Sequence, residues 1–284
     1  RLNLNVYDHK SKITKFNNLS GSIDNYYVGK ALNSIYGYRA DGYYSIDDFD
    51  MEKAKVGTWV LKEGVVSVSG YSVQPGDVKF KDLDGNGVID AGGSTLENPG
   101  DREIIGNSTS RYQFGGNLGV SWKGLDLNVL LQGVGKRDYW LGGAALFPFG
   151  AAGADGVFWP LYYNQTDYWS AVSYDPQSPD YMVAKNPDAK LFRVYGQDGN
   201  AGSNARVSDK YIQNAAYLRV KNVTLSYSFP SSLLRKVALD QLRLYVSVEN
   251  LATFTSLPKG YDPESLSWSY PFYRTWSVGA SITF

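Results

Sequence analysis

Apolar and polar residues alternate strictly along several stretches of this chain, and that pattern predicts its strands. From Tyr112 to Trp122 one face carries Tyr112, Phe114, Gly116, Leu118, Val120 and Trp122, and the other Gln113, Gly115, Asn117, Gly119 and Ser121. After the short turn Lys123-Gly124, Leu125, Leu127, Val129 and Leu131 face away from Asp126, Asn128 and Gln132. A period of two with one apolar face marks half-buried strands, and the short turn makes this pair a hairpin. Val223, Leu225, Tyr227 and Phe229 alternate with Asn222, Thr224, Ser226 and Ser228 until Pro230. Leu218 and Val220 lie on the opposite phase, which places a bulge near Lys221. Residues 231–238 read as a short helical turn. The alternation returns at Leu242–Glu249 and at Thr275–Phe284, where Trp276, Val278, Ala280, Ile282 and Phe284 share a face. Leu2, Leu4 and Val6 before an Asp8–Lys12 turn predict an opening hairpin, making seven strands in all.

Two all-β architectures could use such strands. In a soluble sandwich the apolar faces meet across about 10 Å; in a membrane barrel they face lipid and the polar faces line the lumen. Strands of about 10–12 residues suit a tilted crossing. Aromatics sit at strand ends (Tyr112 and Trp122, Tyr227 and Phe229, Trp276 and Phe284), as an interfacial girdle requires. The polar faces are Gly, Ser, Asn, Thr and Gln rather than the Lys and Glu of an ordinary solvated surface. Short connections at 123–124 and 230–240 alternate with long ones at 19–110, 138–214 and 253–273, the loop asymmetry of outer-membrane barrels. The barrel is favoured, and the sandwich stays open.

Composition adds exclusions. There are 28 basic and 28 acidic residues, so no electrostatic case for nucleic acid exists. Cysteine is absent, which removes disulfides, thiolate zinc sites and thiol catalysis. No stretch approaches the roughly 20 apolar residues of a spanning helix. Thirty Gly, 23 Tyr, 12 Phe and 7 Trp fit long β-ribbons beside a membrane interface or a ligand-stacking surface. The chain starts at Arg1 with no basic leader region, and reads as a mature or internal piece of something longer.

Particular strings then carry a resemblance. Asp82–Asp90 (DLDGNGVID), Asp101–Gly106 (DREIIG) and Arg111–Asn117 (RYQFGGN) come in that order. Tyr217–Tyr227 (YLRVKNVTLSY), Leu244–Leu251 (LYVSVENL), Lys259–Glu264 (KGYDPE) and the final Phe284 follow. Together they make residues 30–284 resemble SusC/RagA-type TonB-dependent outer-membrane transporters. The resemblance implies antiparallel transmembrane strands from the C-terminal portion of a 22-strand barrel, with 19–110 and 138–214 as long extracellular loops. It implies a Gram-negative outer membrane, a plug and TonB box on parts not present in this chain, and a SusD-like surface lipoprotein as partner. It implies import of glycans or peptides driven through TonB, and Phe284 as the signal read by barrel assembly. The alternative reading is a soluble or secreted carbohydrate-binding β-sandwich with a structural calcium loop.

Two constellations have chemistry to offer. Asp82, Asp84, Asn86 and Asp90 occupy positions 1, 3, 5 and 9 of an EF-hand-like loop, with Gly87 at 6 and the Val88 carbonyl at 7. Position 12 is Gly93, so an insertion would move the expected acid to Asp101. The site is a Ca²⁺ candidate, against the plainer reading of a tight Asp/Asn/Gly turn. Aromatics crowd 138–214, and Trp159, Tyr162, Tyr163, Tyr168 and Trp169 are candidates for substrate or partner contact, with packing of the loop itself as the competing reading. No catalytic motif is present, His9 sits in a turn, and no carboxylate pair stands out, so no enzyme activity or organic cofactor is expected.

Overall fold

The computed structural model describes residues 1–142, 165–195, 200–266 and 272–284. They fall into two compact units, one of Arg1–Lys10, Thr109–Asp138 and Asn214–Phe284, the other of Ser11–Ser108 and Tyr139–Gln213.

The first unit is a six-stranded antiparallel sheet built from β1 (Leu2–Tyr7), β2 (Arg111–Trp122), β3 (Leu125–Lys136), β4 (Tyr217–Ser228), β5 (Gln241–Thr255) and β6 (Thr275–Thr283). Each strand pairs with its successor in sequence, so the sheet is a meander. Register aligns whole rows. Val120, Leu127, Leu225, Val246 and Val278 lie side by side across five strands, and one residue along run Gly119, Asn128, Thr224, Ser247 and Ser277. Because successive side chains point to opposite faces, the first row is an apolar stripe and the second a polar one.

The apolar stripe is uncovered: Val246 is 39% exposed and Val278 82%. A sandwich would bury this row, so that alternative is set aside; these are lipid-facing strands of a partial, unclosed β-barrel. Tyr112, Trp122, Trp276 and Phe284 are exposed at or beside strand ends.

The connections divide by length. Lys123 and Gly124, both with positive φ, close the β2–β3 hairpin, as the twist of the strands favours. Pro230 caps a turn of helix, Ser231–Leu234, that runs into Arg235–Val237 before β5. The three long excursions all leave from the opposite end of the sheet.

One expectation changes and another, the bulge, is met. The opening hairpin does not form: β1 pairs with β2, from Leu2 opposite Leu118 to Tyr7 opposite Gln113. Asp8, expected in a local turn, instead accepts hydrogen bonds from Arg111 Nη2 at 2.6 Å and from the Tyr112 amide at 3.3 Å. A charge-assisted pair to a residue far along the chain outweighs the local turn, and the sheet has six strands rather than seven. The bulge is at Lys221: Val220 faces Leu131 and Asn222 faces Leu130, leaving Lys221 extra. On β3 the alternation is unbroken, so Leu130, two residues past Asn128, lies on the polar face.

The second unit draws its core from both large excursions. Ile46 and Ala54 pack with Trp169, Ala171, Tyr181, Met182 and Ala189. Short ribbons support it: Ser34–Tyr38 with Arg102–Asn107, Ala40–Tyr43 with Val78–Phe80, and a parallel pair Ser67–Val68 with Val88–Ile89. A fully buried Asp77 ties the same segments together, bonding Arg193 Nε at 3.2 Å, Asn204 Nδ2 at 3.2 Å and the Tyr195 hydroxyl.

Candidate functional site

The polar face of the sheet is the first candidate. A cavity of about 700 Å³ lies against it, lined by Asn117, Asp126, Asn128, Asn222, Thr224 and Arg243 among others. The side chains satisfy one another across strands. Asn222 Nδ2 donates to Ser247 Oγ at 3.0 Å, the Thr224 and Ser247 hydroxyls are 2.9 Å apart, and Arg243 Nη2 donates to Ser226 Oγ at 2.7 Å. Ser121 donates to Asp126. Asp126 and Arg243, expected on the polar face, are held by hydroxyl partners there and do not meet as a reactive pair. Tyr245 crosses this face so that a Cβ on Gly279 would stand 2.3 Å from its Cζ, covering the glycine's bare backbone.

The acidic loop is the second. Gly85 and Gly87 adopt left-handed backbone (φ 77° and 82°), which the tight turn needs and other residues resist. Asp82 accepts the amides of Gly85 at 2.7 Å and Gly87 at 2.8 Å, and Asn86 Oδ1 accepts that of Val88 at 2.7 Å. These donors, Gly87 first, hold the Asp82 carboxyl below its usual range. The insertion after Asp90 is pinched at its base: a Cβ on Gly100 would lie 2.4 Å from the Gly92 amide nitrogen. That closure returns Asp101 to the loop, fully buried, where it accepts the amides of Leu83 at 2.7 Å and Asp90 at 2.8 Å. One carboxylate oxygen each from Asp82, Asp84 and Asp101 lie within 4.8 Å of one another. Asp90, by contrast, caps the Gly92 amide at 2.6 Å. Three hard oxygens this close, with Asn86 and the Val88 carbonyl nearby in sequence, suit a divalent oxygen-liking cation.

Of the aromatic candidates, Trp159, Tyr162 and Tyr163 lie outside the described residues. Tyr168 is half-buried and bridges to Leu191. Trp169 corrects the contact expectation: it is 2% exposed and packs in the core of the second unit. A large apolar ring with a glycine to seat it gains more from burial than from display. Phe284 is 85% exposed, one residue past the Thr283–Gln241 pair. The Asp77 cluster was missed in the sequence; its four members are spread from 77 to 204 with no local motif.

No protein-family model matches the chain. TonB-dependent receptor P3 of Formosa agariphila is 30% identical over 273 residues, covering 90% of this chain and 22% of that protein. TonB-dependent receptor P39 of the same organism is 23% identical, covering 83% and 22%. Among solved structures, the RagAB peptide transporter superposes with a TM-score of 0.53 at 18% identity, covering 97% of this chain and 24% of that one. The RagAB peptide importer in its closed-closed state gives 0.51. The chain thus spans about a quarter or less of the relatives it matches, all receptors or transporters by name. A meander with one apolar face open to its surroundings, three long excursions from one end, and these relatives agree: this chain belongs to the TonB-dependent receptors.

Proposed function

We propose that the chain forms part of the wall of an active importer in the outer membrane of a Gram-negative bacterium, together with its extracellular excursions. In this reading the Val120–Val278 row contacts lipid, the Gly119–Ser277 row lines the passage, and the second unit stands outside the cell. A SusD-like surface lipoprotein is the partner, TonB supplies the energy through parts of the protein beyond this chain, and the cargo is an oligosaccharide or a peptide. The observation that carries the proposal is the face segregation of the six-strand meander, with every long excursion at one end. Phe284, on the apolar face of β6, belongs in this reading to the aromatic girdle and serves as the assembly signal. No residue is assigned a catalytic role. The test is uptake of labelled oligosaccharides and peptides by cells with the full-length protein, with and without TonB and the neighbouring lipoprotein. Uptake that persists without TonB would overturn the proposal.

We further propose that the Asp82 loop holds Ca²⁺, through Asp82, Asp84 and Asp101 with the Asn86 side chain and the Val88 carbonyl; Asp90 can contribute its remaining oxygen. The ion's role there is structural, offsetting the repulsion of three carboxylates. Isothermal titration of the full-length protein with Ca²⁺ tests this, and loss of binding in Asp82→Ala with Asp84→Ala is expected.

A further inference from the structure

The segment 256–266, between β5 and β6, is strapped onto the polar face of the sheet by charges. Arg219 on β4 is 1% exposed, and its guanidinium is turned to this strap and its root. Its Nε donates to Thr253 Oγ1 at 2.9 Å, Nη2 to Asp262 Oδ2 at 2.6 Å, and Nη1 lies 3.0 Å from Glu264 Oε1. Lys221 adds Nζ at 3.1 Å from Glu264 Oε2. Asp262 Oδ1 in turn accepts the Glu264 amide at 2.9 Å, which fixes the two acids relative to each other. The bulge has a role here: it inserts Lys221 as an extra residue, so that a second cation joins Arg219 beside the polar row that resumes at Asn222. Face identity follows from the neighbours, since Arg219 pairs with Gln132, and Gln132 Nε2 reaches the Tyr217 hydroxyl beside the polar-face cavity they line.

Leu257, Pro263 and Leu266 are buried, and the two acids flanking Pro263 carry the ionic contacts. Buried ion pairs are a costly way to fix a loop permanently, because apolar packing of the same volume holds at least as well. They are a ready way to make a contact that competing charges can release.

Resting on the reading of the polar face as the passage wall, we propose that 256–266 is an ionic latch at the mouth of the passage, closed by Arg219 and Lys221 on Asp262 and Glu264, whose release widens the mouth. The test uses the full-length protein with spin labels at Lys259→Cys on the strap and Phe254→Cys on β5. A narrow label distance is expected in the parent. Asp262→Asn with Glu264→Gln removes the charges while keeping the shapes, and shifts the closed-to-open ratio by at least about tenfold, the scale of two lost charge-assisted bonds. The distance distribution then broadens. Lys221→Met, which leaves the Arg219 pair intact, gives a smaller shift. With a third cysteine-labelling site at Asn128→Cys on the polar face, the double variant admits longer maleimide-polyethylene glycol probes to that thiol than the parent. An unchanged distance distribution in the double variant overturns the latch, and a broadened one with unchanged probe entry overturns its role at the mouth. Both readouts stand whether or not TonB-driven uptake is found, so failure of the import proposal is seen separately.

Discussion

The indole of Trp169 lies against the backbone of Gly76, so close that a Cβ on Gly76 would stand 2.4 Å from Cε3. Gly76 has φ 90°, and its amide donates to the Tyr44 carbonyl at 2.8 Å. The first long excursion thus supplies a bare backbone surface and the second the ring that covers it.

Gly76→Ala should loosen the second unit without disturbing the sheet. The left-handed backbone costs about 1–2 kcal/mol for a residue with a Cβ, and displacing a packed ring adds about 1–3 kcal/mol. Trp169→Ala should cost about 3–5 kcal/mol through the cavity it leaves. Hydrogen exchange of the full-length protein checks both: protection should fall in residues 43–78 and 165–192 together. Loss in one excursion alone would contradict the shared core.

A second expectation separates the two faces of the sheet. Val246 and Ser247 are adjacent, yet their rows face opposite ways. Val246→Arg puts a charge in the lipid-facing row and should destabilise by roughly 2–4 kcal/mol near mid-membrane. Ser247→Arg should be far milder, because the polar face accepts charge. Urea-induced unfolding of the refolded full-length barrel in lipid vesicles measures the difference; equal losses would argue against the assigned faces.

These cases show how much of the protein was legible in its sequence. Period-two alternation reveals strands and faces because it is local, and the phase change around Lys221 reveals the bulge for the same reason. The partner of β1 was not legible. Asp8–Lys12 has turn chemistry, and nothing local says that Asp8 will instead meet Arg111. Trp169 read as a contact residue because a run of aromatics without periodicity does not say which ring finds a glycine to lie on. The acidic loop was legible as a motif, and even the displaced acid at Asp101 followed from counting positions. The pinch between Gly92 and Gly100 that brings it back was not.

The Asp77 cluster yields a third expectation. Burial pushes the Asp77 carboxyl up, and Arg193, Tyr195 and Asn204 oppose that push. Asp77→Ala removes the buried carboxylate that Arg193, Tyr195 and Asn204 share and should cost about 3–5 kcal/mol, as removing one partner of a buried pair does. Asp77→Asn keeps the shape and, with its oxygen at the Oδ1 position, can still accept from Asn204 and Tyr195 while giving up the Gln74 amide bond, so it should cost less. Limited proteolysis between 165 and 213 reports the order; equal sensitivity in the two variants would show that charge, not shape, matters there.

The acidic loop gives the last expectation, in which acid and a chelator act on the same residues. Asp82's folded pKa lies below its unfolded value of about 3.9, because backbone amides of Gly87 and Gly85 donate to the carboxylate. A depressed carboxyl contributes stability that is fully present above the unfolded pKa and lost as pH falls through the folded one. The loop should therefore hold at neutral pH and loosen only below about pH 4. The calcium proposal adds an expectation at neutral pH, because Asp82, Asp84 and Asp101 each place a carboxylate oxygen within 4.8 Å of the others. Removing the ion with a chelator at pH 7 should raise protease sensitivity across 76–105 and leave the barrel folded, since a local site contributes locally. Asp82→Ala with Asp84→Ala should reproduce that pattern and abolish any further response to the chelator. A cleavage map that neither the chelator nor the double variant alters would mean that the amide bonds alone hold the loop, and the calcium proposal would fall.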